Sequence, residues 1–100
     1  MMEIERTPEY AEWMRSLRDE RAKAKIALRI DRLMLGNPGD IKPVGDGVTE
    51  MRIDYGPGYR VYYGSQGKTF VVILCGGTKK GQSGDIKQAK SIFASWKKDR

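Results

Sequence analysis

Two absences set the chemistry open to this chain. It holds no histidine and a single cysteine, Cys75. That removes a Ser-His-Asp triad, a Cys-His pair, a histidine-ligated zinc and the two-histidine form of ribonuclease chemistry. It also leaves no multi-cysteine metal site and no internal disulfide, so neither a metal nor another cofactor is expected. Any reaction falls to Lys, Arg, Tyr, Asp, Glu or Ser. Between Glu50 and Lys80 such residues fall on patterns that would share a face. Glu50, Arg52 and Asp54 alternate with Met51 and Ile53, so an extended backbone puts the three charges on one face. Arg60 and Tyr62 alternate with Tyr59, Val61 and Tyr63 in the same way. Lys79 and Lys80 follow in the glycine-rich run Gly76-Gly77-Thr78-Lys79-Lys80-Gly81. Arginine grips phosphate oxygens with two parallel hydrogen bonds, and tyrosine can stack on a base, so the set suits a phosphodiester.

Cleavage of RNA by its own 2′-hydroxyl needs a base for the 2′ proton, cations for the pentavalent phosphorane and an acid for the leaving 5′ oxygen. Here Glu50 or a lysine of lowered pKa would be the base. Arg52 and Arg60 would hold the developing charge. Lys79, Lys80 or Tyr62 would be the acid. None of these groups titrates near neutrality in water, so the set predicts a slow enzyme unless a partner organises it. Plainer roles compete. Arg52 with Glu50 or Asp54 reads equally as a surface ion pair, Lys79-Lys80 as a solvated turn, and Tyr62 as either a core ring or a stacking ring. Tyr59, Tyr63, Trp13, Phe93 and Trp96 read as packing residues, and Cys75 as a small core residue.

These residues need elements to position them. Residues 2–6 alternate apolar and polar as a short strand does. Thr7-Pro8-Glu9 opens a helix with an N-cap, a proline at the first position and an acid in the first turn. Tyr10, Trp13, Met14 and Leu17 share one helical face. Asp19 can cap a second helix, in which Ala22, Ile26, Ile30, Leu33 and Met34 keep helical spacing up to Gly36-Asn37-Pro38-Gly39. The two segments form either a helical hairpin or one kinked helix. Gly36 to Gly47 reads as a loop. Three strands follow, around Met51–Ile53, Tyr59–Tyr63 and Phe70–Cys75, with turns at Gly56-Pro57-Gly58 and Ser65-Gln66-Gly67. Asp85 to Lys98 is helical, with Ile86, Ala89, Phe93 and Trp96 as its apolar stripe and Asp85 with Gln88 placed as a capping box. The expected architecture is α+β, ordered β-α-α-β-β-β-α. An antiparallel meander joins the N-terminal strand in a four-stranded sheet, and the first two helices cover one face.

One hundred residues allow one domain, spanning 1–100. The longest apolar run, Phe70 to Cys75, is far short of the roughly 18 residues that span a bilayer. Acids precede any apolar stretch, so no secretory signal is visible, and a reducing cytoplasm is the expected home. The net charge of +6 is uneven. Residues 1–50 carry a net −1 and residues 51–100 a net +7. Segregated positive charge points to a polyanionic partner, with nucleic acid favoured over a merely solvated surface.

The stretches Gly58-Tyr59-Arg60-Val61-Tyr62-Tyr63, Phe70 to Gly77 with Lys79-Lys80, and Asp85-Ile86-Lys87-Gln88-Ala89-Lys90 resemble the RelE/ParE toxin superfamily. They are most similar to its phage Gp49-like, HigB-type "addiction module killer" branch. The resemblance runs from Thr7-Pro8-Glu9 to about Trp96. It implies a small α/β toxin encoded beside an antitoxin, often of helix-turn-helix type, that cleaves mRNA on the ribosome. The ParE branch instead poisons DNA gyrase without catalysis, and a decayed toxin would only bind its antitoxin. By this resemblance Arg60 falls on the family's Gly-Tyr-Arg arginine, Arg52 on a basic position of the preceding strand, and Lys79 or Lys80 near the basic residue after the last strand. Glu50 stands where RelE-like members tend to have lysine. Gln82 to Gln88 contains neither the tyrosine nor the histidine that many members place near the last helix. The resemblance therefore supports the phosphate grip and leaves the acid and base open.

Overall fold

The computed structural model describes residues 2–99. The order is β1 (Glu3–Arg6), α1 (Pro8–Ser16), α2 (Glu20–Met34), β2 (Ile41–Gly45), β3 (Val48–Ile53), β4 (Tyr59–Gln66), β5 (Phe70–Thr78), a 3-10 turn (Lys79–Gly81) and α3 (Gln82–Lys98). The fold is α+β, with one mixed sheet in the order β1-β5-β4-β3-β2. β1 runs parallel to β5 and the other neighbours are antiparallel. No helix among the described residues is long and apolar enough to cross a membrane.

The sheet has five strands, not four. The additional one, β2, lies inside the segment that reads as a loop. Pro43 lacks an N–H and normally argues against a strand, but β2 is an edge strand, where one ladder bond is dispensable. The β2–β3 register shifts between Pro43 and Gly45, which accommodates the proline. α1 and α2 are a hairpin rather than one kinked helix. Leu17 ends α1 in an extended conformation (φ −71°, ψ 134°), and the Asp19 side chain accepts from the Arg21 and Ala22 amides to start α2. Thr7 caps α1 by accepting from the Tyr10 amide, and its own hydroxyl donates 2.6 Å to the Leu74 carbonyl. α3 starts at Gln82, three residues before the expected capping box, with no side-chain cap.

Each sheet face has its own core. On one face α1 and α2 bring Tyr10, Ala22, Ile26, Ile30 and Leu33 against Met51, Ile53, Tyr59, Val61, Tyr63, Val71 and Ile73. On the other, α3 brings Ala89 and Phe93 against Val48, Tyr62, Val72, Leu74 and Cys75. Leu74 and Cys75 are adjacent yet belong to the same layer. The β4–β5 register explains this: Tyr62 pairs with Cys75 and Tyr63 with Ile73, which leaves Leu74 as the extra residue of a bulge. The bulge keeps both strands' alternation in phase with the two layers on either side of it.

Close packing fixes several glycines. A Cβ on Gly64 would lie 2.5 to 2.7 Å from three ring atoms of Phe93, which is itself 2% exposed. The ring has no room to retreat. Gly64→Ala is expected to destabilise by about 1–3 kcal/mol through overpacking, read as a lower midpoint in urea with an unchanged slope.

Candidate functional site

The residues singled out by type and spacing lie on the α3 side of the sheet, on β3, β4 and the turn after β5. At their centre is Glu50. Its side chain is 0% exposed, a rare position for a carboxylate unless it is paired. Oε1 accepts from Arg52 Nε at 3.0 Å and lies 3.8 Å from Arg60 Nε. Oε2 accepts from Tyr62 Oη at 3.2 Å and from Gln82 Nε2 at 2.7 Å. The β3–β4 register supplies two of these neighbours directly, since Glu50 pairs with Tyr62 and Arg52 with Arg60. The third direction is closed by the start of α3.

Burial pushes the Glu50 carboxyl upward, but donation by Arg52, Gln82 and Tyr62 outweighs it and holds the group below its ordinary value. Glu50 is thus a fixed anion with both oxygens engaged. The Tyr62 phenol is driven far above its usual range, first by burial and then by the charge of Glu50. It stays protonated and donates.

Over this carboxylate lies an open cleft of about 250 Å³, lined by Asp40, Arg52, Asp54, Gly58, Arg60 and Lys79. The side chains of Arg52 and Arg60 are 34% and 11% exposed. Arg60 Nη1 also donates to the Gly58 and Tyr59 carbonyls at 3.3 and 3.2 Å. Among the described residues, the buried Arg60 Nε has no hydrogen-bond partner within range, so only the charge of Glu50 answers it. Lys79 arrives from the 3-10 turn, whose position is fixed by a 2.8 Å bond from its amide to the Gly58 carbonyl. A larger groove, about 410 Å³, runs between α1 and α2 past Tyr10, Met14 and Ile30 and contains none of these residues.

The cleft therefore joins Arg52, Arg60 and Lys79, and burial revises two other assignments. Tyr62 is 0% exposed, so its ring cannot stack on a base; it is a core residue with a hydroxyl aimed at Glu50. Glu50 is sealed beneath the arginines and cannot reach a substrate proton, so it is an anchor rather than a base. Lys80 is exposed but lies outside the cleft lining. Cys75 is a core residue, as its place in an apolar strand suggests, and burial pushes its thiol up to about 12.

Three contributors escape a reading by residue type. Asp40 enters the cleft from the segment before β2, where nothing in the sequence suggests proximity to Arg60. Gln82 is neutral and lies outside the expected helix, so only its one-turn offset from Asp85–Ile86 hints at it. Arg29, on α2, donates to the Arg52 carbonyl at 2.5 Å and to the Pro38 and Asp40 carbonyls at 3.1 and 3.2 Å. It fastens the cleft's outer edge to the helical layer.

Asp85 behaves oppositely to Glu50. Its carboxylate occupies the space a Cβ on Gly77 would fill, and burial raises its pKa. A carboxyl raised in the fold contributes most below its unfolded value, 3.8, and loses that contribution as pH rises through the folded value. Asp85→Asn is accordingly expected to raise the melting temperature at pH 7 and to leave it unchanged near pH 3, measured by thermal denaturation across that range. For Glu50 the sign reverses. Its stabilisation is complete above 4.5 and is lost as pH falls through the depressed folded value.

Chemically, the arrangement offers two guanidinium groups held at fixed depth and one ammonium at the rim, with the carboxylates Asp40 and Asp54 beside them. It can seat a phosphate group and counter charge that develops on it. No protein-family model matches the chain. The chain is similar to an uncharacterized protein of Haemophilus influenzae (strain ATCC 51907 / DSM 11121 / KW20 / Rd), at 53% identity over 91 residues, which cover 91% of this chain and 92% of that protein.

Proposed function

For this chain, which belongs to one family with the Haemophilus influenzae protein, we propose the role of toxin in a type II toxin-antitoxin module, acting in the cytoplasm as a ribosome-dependent mRNA endoribonuclease. The observation that carries the reading is the convergence of Arg52, Arg60 and Lys79 on one open cleft, two of them anchored to a carboxylate below. The RelE-like motifs of β4, β5 and α3 support it. On this reading the fold is a RelE-like sheet with β2 added at its edge. The partners are a cognate antitoxin, often of helix-turn-helix type, and the ribosome carrying mRNA.

In the reaction, the 2′-oxygen bonds to phosphorus as the bond from phosphorus to the 5′-oxygen breaks, leaving a 2′,3′-cyclic phosphate and a 5′-hydroxyl. Arg52 and Arg60 take the non-bridging oxygens, whose charge grows in the phosphorane. Lys79 gives a proton to the leaving oxygen. Asp40 or Asp54, both in the cleft lining, accepts the 2′ proton in place of the sealed Glu50. No metal enters any step. Among the described residues the cleft lining is charged apart from Gly58 and carries no ring to hold a base, so on this reading the ribosome presents the mRNA in an attack-ready shape.

The test is expression in a bacterium without the antitoxin, with growth and mRNA 5′ ends followed together. New ends inside translated frames are expected within the period of growth arrest. Arrest with intact mRNA and induced DNA-damage signalling would replace the reading with gyrase inhibition. No arrest would reduce the chain to an antitoxin-binding protein.

A further inference from the structure

We infer that Gln82 is a positioning residue: acting through Glu50, it sets where Lys79 stands against the Arg52–Arg60 pair. The inference rests on the cleft reading above and deepens it. The argument begins with what holds the Lys79–Gly81 turn. On one side the Lys79 amide is bonded to the Gly58 carbonyl. On the other the turn runs straight into α3, whose first residue is Gln82. That end of α3 has no side-chain cap hydrogen bond. The 2.7 Å bond from Gln82 Nε2 to Glu50 Oε2 ties it to β3 instead.

Glu50 is a suitable post because hydrogen bonds engage both of its oxygens. It is fully buried, and its other oxygen is held by Arg52. One carboxylate thus receives β3 through Arg52, β4 through Tyr62 and α3 through Gln82. The two arginines take their depth from Oε1, and Lys79 takes its position from Oε2 by way of Gln82 and one 3-10 turn of backbone. Gln82 is half-buried and presents a neutral amide, so it adds a donor without adding a fourth charge to a crowded site. A glutamate there would set two carboxylates against each other, and a lysine would compete with the arginines for the anion.

Two variants and two readouts test this. Amide hydrogen exchange on the free protein reads the turn directly. In Gln82→Ala the Lys79 amide is expected to lose protection about tenfold while the amides of β4 and β5 keep theirs. In ribosome-bound mRNA cleavage the same variant should lower kcat about tenfold with KM within twofold. The exchanged pair E50Q/Q82E keeps a bond between the two positions but moves the negative charge away from the arginines. It should restore Lys79 protection while leaving cleavage low. Unchanged Lys79 protection in Gln82→Ala would overturn the inference, as would a loss spread evenly over the sheet. If the wild-type chain cleaves nothing, the nuclease reading fails, and the exchange arm still decides whether Gln82 positions the turn.

Discussion

Arg60→Ala is expected to abolish growth arrest and to slow mRNA cleavage on translating ribosomes by about 10²–10³-fold, the usual effect of removing one preorganised donor to a developing oxyanion. The position explains the size. Arg60 is the more buried of the two cleft arginines, at 11% side-chain exposure, and its Nη1 is steadied by two backbone carbonyls. Little rearrangement stands between its resting and working geometry. Glu50 keeps Arg52, Tyr62 and Gln82 in the variant, so its charge is still answered and the fold should persist, which circular dichroism would verify. Arg60→Lys keeps the charge but not the planar fork, and its rate should fall between wild type and alanine. Cleavage by Arg60→Ala at the wild-type rate would remove the arginine from the reaction.

Glu50→Ala should have the largest effect on stability. Removing one partner of a buried charge cluster typically costs about 3–5 kcal/mol, because the remaining charges are left unanswered. Here the Arg52 guanidinium, a phenol and an amide lose their acceptor together, and Arg60 loses the charge that answers it. A domain of this size has about 5–15 kcal/mol in total, and each kcal/mol shifts the melting temperature by about 4–8 °C. A fall well beyond 10 °C is therefore expected by calorimetry. Glu50→Gln keeps the shape and one acceptor oxygen, and it should recover part of the loss. It should also flatten the decline of stability below pH 4.5 that ionised Glu50 imposes on the wild type. If Glu50→Ala melts with the wild type, the carboxylate is not the anchor of the cleft.

Much of this was legible in the residues. The caps at Thr7 and Asp19 announce their helices because each side chain satisfies amides within its own first turn, a purely local transaction. β4 and β5 are legible from alternation and from a continuous apolar run. Arg52 and Arg60 are found from period two alone, since the same alternation that buries Met51 and Val61 carries them to the opposite face. What the residues hide is non-local. β2 carries a proline and a glycine, and only its place at the sheet edge makes them tolerable. Tyr62 has the same type and spacing whether its ring meets solvent or a helix, and α3 decides the matter by packing over it. Asp85 has the look of a cap, yet it lies within α3 and fills the space left by Gly77 on β5. Asp40 reaches the cleft because Arg29, from α2, holds the carbonyls beside it.

The parallel pairing of β1 with β5 has a consequence for the order in which the molecule is made. Thr7 reaches Leu74 across 67 residues of chain, and Glu3 to Arg6 find their partners only among Phe70 to Ile73. Synthesis runs from the N-terminus at about 5–20 residues per second, so β1 waits several seconds for the strand that receives it. Closing so long a loop before any contact rewards it also makes this step slow. Lys79 and Gln82 come later still. A nascent chain therefore carries both arginines before it has the segment that completes their cleft, and the cleft closes only after Lys79 and Gln82 have been added.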